Sequence, residues 1–367
     1  MTVAISSECV LLPSGATAAT VVVGEDGHVE SIEPGISRGS TFVDGTLSPG
    51  FIDLQVNGKK DVDVWNALAT RDVRALSRLD GHVLDEGVTT WLPTLVTNRV
   101  ERYPAALEFL SAGLDRLETS VPGAHLEGPL LGTRSGAHRG ELIVTPPSSW
   151  WDEVVPHTRL VTLGAEHPDA SEVTHRLVRD GVVVSIGHSA PTRSQFEAVV
   201  TAGASMVTHL FNAMSGVHHR DDSLALWALN DPRVTCGLIV DGIHVDAGAV
   251  DLAFRSSRGG IALVTDAVAH LQGSAGPVTL MVVDGAPRLS DGTLAGSCLT
   301  MNGALDNARV MTGLDVLSLV RSATEIPARV LGLSDRGRIE IGRRADLVAL
   351  GESFEVHAVW LLGRRVR

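Results

Sequence analysis

The stretch "GAHLEGPLL", residues 123–131, sets a carboxylate, Glu127, among residues that read as buried: Ala124, Leu126, Leu130 and Leu131. A lone buried carboxylate is costly unless it is paired or holds a metal. Other short apolar runs end in the same way. His188 ends "GVVVSIGHS", His209 lies in "SMVTHLFNAM", His244 in "CGLIVDGIHV" and Asp266 in "IALVTDAVA". Gln55 and Asn57 close "GFIDLQVNG", and Glu166 closes "LVTLGAE". Glu127, His188 and His209 supply one carboxylate and two imidazoles, the donor set of a catalytic zinc site with one position left open. A divalent ion there would lower the pKa of a water and polarise a carbonyl. Asp266 is a separate carboxylate, suited to take a proton from the attacking water and return it to a leaving group. His244 is suited to orient or polarise a substrate carbonyl. Taken singly, each has a plainer reading. A buried histidine is more often a hydrogen-bonded structural residue, Glu127 could pair with an arginine, and Asp266 could cap a helix. Their common place at the ends of apolar runs favours the metal site. His218, His219 and His270 lack that placement, and His82, His157 and His175 read as surface or structural.

The elements that would bring these residues together can be read from the same runs. There are eight: 50–58, 87–97, 123–129, 160–166, 181–189, 205–214, 236–245 and 261–269. Runs apolar on both faces suggest a parallel sheet. Intervening stretches such as "RDVRALSRLDGHVLDE" and "TRSQFEAVVTAG" have helical spacing. Eight strand–helix units over roughly 250 residues predict an α/β fold, a (β/α)8 TIM-type barrel whose active site lies at the C-terminal strand ends. Residues 2–47 read as short strands and turns, with "GEDG" as a hairpin turn. Hairpin texture returns at 278–296, two or three helices span about 302–332, and the tail is again strand-like. The expected organisation is a small β-sandwich domain from 1–47, 278–296 and 336–367, with the barrel formed by 48–277 and 297–335.

Composition narrows the function classes. The chain has 367 residues, 44% of them hydrophobic and 20% charged, as in ordinary globular proteins. A net charge of −13 argues against nucleic-acid or anionic-membrane partners. An anionic substrate would need a local cationic cluster, and Lys59 and Lys60 are the only lysines, so arginine must supply it. The start, "MTVAISSECVLLPSG", has no basic segment, and no long apolar run has transmembrane length. Cys9, Cys236 and Cys298 are far apart and read as small core residues. A cytoplasmic location is expected.

These motifs together resemble the N-acetylglucosamine-6-phosphate deacetylase family of the amidohydrolase superfamily. "PGFIDLQVNG", "LPTLVT", "HLEGPLL", "SIGHSAPT", "THLFNAM", "DGIHVD", "LVTDA" and "LAGSCLTMNGAL", closing with "GRIEIGRRADLVAL", cover nearly the whole chain in the family's order. The resemblance implies Glu127, His188 and His209 as metal ligands and Asp266 as the catalytic base and acid. It implies His244 as the residue that contacts the acetamide and steadies the oxyanion. It assigns His138 of "SGAHRG", Asn212 and Ala213 to substrate binding. Arg220 of "HHRDD" is implied to reach the phosphate in the neighbouring subunit of a homodimer, where its planar fork suits a phosphate. The implied reaction is hydrolysis of the N-acetyl group of N-acetylglucosamine 6-phosphate to glucosamine 6-phosphate and acetate, in amino-sugar recycling. Two other readings stand beside it: deacetylation of a related sugar (a galactosamine 6-phosphate or an unphosphorylated analogue), and a non-catalytic sugar-binding barrel.

Many amidohydrolases carry H-x-H after the first strand, where this chain has Gln55-Val56-Asn57. Neutral amides are poor zinc ligands, so one divalent metal per site is expected, zinc first, with iron, manganese or cobalt as alternatives. Around the pocket the chain departs from the family. Asp221-Asp222-Ser223 follows Arg220, "GKKDVDVWN" follows the first strand, and "AVAHLQGSAG" follows Asp266. Asp222 is expected to pair with Arg220 and His270 to approach the mouth of the barrel.

Overall fold

The computed structural model describes residues 3–367. Its centre is an eight-stranded sheet of Phe51–Val56, Val88–Val96, Ala124–Glu127, Thr158–Leu163, Val183–Ile186, Met206–Val207, Thr235–Leu238 and Ile261–Leu263, in sequence order. Every neighbouring pair is parallel. The first and last strands close on each other through a bridge from Val56 to Ala267 and a 2.9 Å hydrogen bond from the Asp266 N–H to the Gln55 carbonyl. Asp53 reinforces this seam by accepting from the Thr265 hydroxyl at 2.6 Å. Helices such as Val73–Leu84, Ala170–Arg179 and Arg193–Thr201 follow the strands. Their starts are encoded locally: Asp72 accepts from the Ala75 N–H, and Thr192 and Gln195 form a reciprocal capping box. Leu54, Trp91, Leu126 and Ile186 are fully buried in the main core. This is the expected (β/α)8 barrel.

The strands stop short of the ends of their apolar runs. Within 205–214, only Met206–Val207 is strand, and the rest turns at the barrel mouth. Glu127 is therefore the last residue of its strand, while His188, His209 and Asp266 lie just beyond theirs.

A separate seven-stranded mixed sheet is built from both chain ends. Its order is Arg364–Arg365, Val356–Leu361, Leu347–Leu350, Thr41–Pro49, Val3–Leu12, Gly15–Val23, Val29–Pro34. Only the pairing of Val3–Leu12 with Thr41–Pro49 is parallel. The sheet curls until its Val29–Pro34 edge meets the segment leading into Leu347–Leu350: the Val29 N–H donates to the Arg343 carbonyl at 2.8 Å, and the Ala345 N–H to that of Gly27 at 2.9 Å. The enclosed face holds its own core, with Ile5, Val21, Leu47, Leu347 and Trp360. Val348, Val359 and Leu361 on the other face join the main core.

Residues 278–296 do not join this sheet, contrary to expectation. They belong to two small hairpins, Ser274–Ala275 with Val278–Thr279 and Met281–Val283 with Ala286–Arg288. Ala275, Leu280 and Ala295 pack with Val268, which follows the last barrel strand. Hairpin spacing specifies local pairing but not the surface on which the hairpin docks. Three helices follow, Met301–Thr312, Val316–Ala323 and Glu325–Val330.

Candidate active site

Glu127, His188 and His209 meet at the barrel mouth. Glu127 Oε1 lies 3.2 Å from His188 Nε2 and 3.1 Å from His209 Nε2, and the two Nε2 atoms are 3.1 Å apart. Ligand atoms on a tetrahedral zinc, each about 2.0–2.1 Å from the ion, are separated by about 3.3 Å. The observed triangle fits that spacing. Three acceptor atoms directed at one point also need a cation between them, whether a proton or a metal. His188 Nδ1 lies 3.1 Å from the Arg134 carbonyl and donates to it, which leaves the Nε2 lone pair toward the cluster. His188, His209 and Asp266 all have positive φ, at 50°, 29° and 49°. Non-glycine residues pay about 1–3 kcal/mol each for such backbone, which here turns these side chains inward at the strand ends.

His138 lies closer to this cluster than a substrate contact needs to be. Its Nε2 is 3.7 Å from Glu127 Oε2, its ring stacks edge-on against His188, and Glu127, His138 and His188 form a wider triad with donor atoms within 4.8 Å. The tighter triad containing His209 better matches tetrahedral spacing, so His138 is placed as a neighbour of the metal set.

Burial would raise the Glu127 carboxyl, but its contacts with the His188 and His209 side chains outweigh it and hold Glu127 well below the usual carboxylate range. Burial likewise opposes charge on His209, yet Glu127 and then Asp266 raise its pKa. Burial and the neighbouring His188 bring His138 down to about 3, so it is neutral.

Asp266 Oδ1 accepts from Gln55 Nε2 at 3.0 Å and from Asn57 Nδ2 at 2.6 Å. Gln55 also donates to Glu127 at 3.0 Å. Burial, then the Glu127 charge, push Asp266 up to about 7. Thus Gln55 and Asn57 serve as donors: Gln55 bridges the two carboxylates and Asn57 holds Asp266. Asp241 accepts from His244 Nδ1 at 2.7 Å and from the backbone N–H groups of Ile243 and His244. His244 is thereby held with Nε2 as its remaining ring nitrogen. The i, i+3 spacing in "DGIH" was visible in the sequence, but it does not reveal that the aspartate turns back onto the imidazole.

Asn57, His244 and Asp266 line, with Glu127, His188 and His209, one cavity of about 420 Å³, large enough for a small organic substrate. His138, Asn212, Ala213 and His244 line it with the triad and Asp266. Arg288 and residues 292–296 complete the wall, and the sequence reading did not single these out. Arg220 is exposed and lies outside this wall. Its expected pairing with Asp222 is not formed among the described residues: Asp221 pairs with His218 at 2.9 Å, and the Arg220 N–H bonds to His218 Nδ1. Glu166 clamps neighbouring loops through Thr133, Ser189 and Ala190. His270 contacts the Val268 carbonyl and lies outside the cavity wall.

Residues 169–366 match the amidohydrolase family. The chain is 35% identical to N-acetylglucosamine-6-phosphate deacetylase of Caenorhabditis elegans over 87% of this chain and 82% of that protein. It is 34% identical to N-acetylgalactosamine-6-phosphate deacetylase of Escherichia coli O157:H7, over 92% of each. An aspartate-to-alanine mutant of N-acetyl-D-glucosamine-6-phosphate deacetylase from Mycobacterium smegmatis, solved with N-acetyl-D-glucosamine-6-phosphate, superposes with a TM-score of 0.89 at 30% identity over 99% of both chains. The chain belongs to the amidohydrolase family, in the branch that holds the N-acetylglucosamine-6-phosphate deacetylases.

Proposed function

We propose that this protein hydrolyses the N-acetyl group of N-acetylglucosamine 6-phosphate, giving glucosamine 6-phosphate and acetate. The observation that carries the reading is the convergence of Glu127, His188 and His209 beside Asp266 in one cavity. Those three residues would hold one divalent cation, zinc before iron, manganese or cobalt. Such an ion, when bound, supplies Lewis-acid polarisation and a water of lowered pKa. Asp266 accepts a proton from the attacking water as its oxygen bonds to the acetyl carbon. Gln55 and Asn57 hold the receiving carboxylate in place. His244, oriented by Asp241, donates in its imidazolium form from Nε2 to the carbonyl oxygen as negative charge builds there. Asp266 then returns its proton to the departing amine as the C–N bond breaks. His138, Asn212 and Ala213 line the sugar and phosphate side, and Arg220 is assigned to the phosphate of a partner subunit in a homodimer.

The resemblance to the E. coli relative favours a second reading, the galactosamine 6-phosphate isomer, at the same site. No helix among the described residues is long and apolar enough to cross a membrane, and the three cysteines are unpaired. Both features support a cytoplasmic enzyme. The test is acetate release by metal-analysed protein from N-acetylglucosamine 6-phosphate, N-acetylgalactosamine 6-phosphate and N-acetylglucosamine. Preference for the first is expected. Preference for the second transfers the assignment to the isomer, and turnover of none overturns the deacetylase reading.

A further inference from the structure

We propose that Arg288 binds the substrate's phosphate within the same subunit, a role separate from that of Arg220. This inference rests on the amino-sugar-phosphate reading above. The cavity is lined by two carboxylates, Glu127 and Asp266, in a chain of net charge −13. A phosphate entering it needs a fixed positive charge to offset that field. Arg288 is the only lysine or arginine in the cavity wall. It forms no ion pair among the described residues. Its Nη1 donates to the Gly292 carbonyl at 2.9 Å. A guanidinium carries five N–H donors, so Nε and Nη2 remain for a ligand, in the fork geometry that suits phosphate.

The segment bearing Arg288 is tied to the catalytic aspartate. Arg288 bridges Leu294, and residues 292–296 continue along the cavity wall. At Gly296, φ is +67°, and a Cβ would lie 2.3 Å from Val268 Cγ1 and 2.8 Å from the Asp266 carbonyl. Only glycine permits so close an approach. The Ser297 N–H then donates to the Asp266 carbonyl at 2.9 Å, and Ser297 accepts from the Val268 N–H at 3.1 Å. The guanidinium and Asp266 thus share one frame. A phosphate seated on Arg288 would set the distance of the acetamide from Asp266.

The plainer alternative is a staple, with Arg288 serving only to hold its hairpin through Gly292. The experiment separates the two in the metal-loaded full chain, using R288Q and the charge-retaining R288K. For N-acetylglucosamine 6-phosphate, KM is expected to rise about 10–100-fold in R288Q, with a far smaller change in kcat and partial recovery in R288K. The KM for N-acetylglucosamine should move less than about twofold. Inorganic phosphate, measured by equilibrium binding, should bind R288Q at least about tenfold more weakly than wild type. An unchanged KM for the phosphorylated sugar, or equal losses on both sugars, overturns the proposal in favour of the staple. If wild type turns over neither sugar, the deacetylase reading fails, and phosphate binding decides the role of Arg288: equal affinity in wild type and R288Q overturns it.

Discussion

At the scale of the residue, the proposed chemistry depends on which cation sits between Glu127, His188 and His209. Without metal, Glu127 raises the His209 pKa, so the site holds a proton to higher pH than a free imidazole would. Metal uptake must expel this proton, so affinity should weaken as pH falls, by about tenfold per unit while one proton is displaced. Zinc titration at pH 6 and pH 8 checks this, and an affinity independent of pH would remove the proton from the site. Glu127→Gln replaces an anionic ligand with a neutral amide, so bound metal by elemental analysis should drop sharply. Asp266 works in the opposite sense, because it must be ionised to act as base. Its carboxyl is pushed up to about 7 by burial and Glu127, and a neighbouring dication lowers it again. kcat/KM should therefore fall as pH drops through an apparent pKa at or below about 7. Asp266→Asn should keep the metal yet lose about 10²–10⁴ in kcat and abolish that acid limb. An Asp266→Asn enzyme with wild-type turnover would remove Asp266 from the mechanism.

At the scale of the element, a buried ion pair ties the loop after the first strand to the turn before the second, and hydrogen bonds made by both partners reach the segment after the hairpins. Lys59 Nζ lies 2.8 Å from Glu86, at the end of the loop before the second strand, and donates to the Leu299 carbonyl at 2.6 Å. Glu86 also accepts from the Met301 N–H, where a helix begins. Burial raises the Glu86 pKa, and Lys59 opposes the shift. Removing one partner strands the other charge, so Lys59→Met should cost about 3–5 kcal/mol in denaturant unfolding. Loss below about 1 kcal/mol would show that water compensates Glu86. This device was not legible in "GKKDVDVWN", where nothing local tells which of two adjacent lysines is buried. The strand runs and the cluster at their ends were legible, because parallel strands buried on both faces leave continuous apolar runs interrupted only where function requires it. The destination of 278–296 was not, since Met281, Val282 and Val283 are exposed and their alternation names no partner. Arg288 escaped notice for the same reason: one arginine in a hairpin has no local signature of the cavity it faces.

At the scale of the whole molecule, the proposed phosphate contacts divide between one chain and another. Arg288 lies in the cavity wall of its own subunit, whereas Arg220 is exposed and outside that wall. Val217, close to Arg220 in sequence, is 49% exposed, an apolar neighbour suited to a subunit interface. If Arg220 serves the partner's site, its loss and the loss of Asp266 fall on different sites of a mixed dimer. An Arg220→Ala subunit keeps its own Asp266 and receives Arg220 from an Asp266→Asn partner, so one of the two sites is whole. Equal mixing of the two inactive variants, with exchange of subunits, should return about a quarter of wild-type activity, because half of the dimers are mixed and each mixed dimer has one working site. Light scattering on the same sample reads the dimer directly. A mixture no more active than its parents, in a sample shown to contain exchanged dimers, would place Arg220 in service of its own chain. A monomer would remove the partner's Arg220 from the site and leave Arg288 as the phosphate contact the cavity wall supplies.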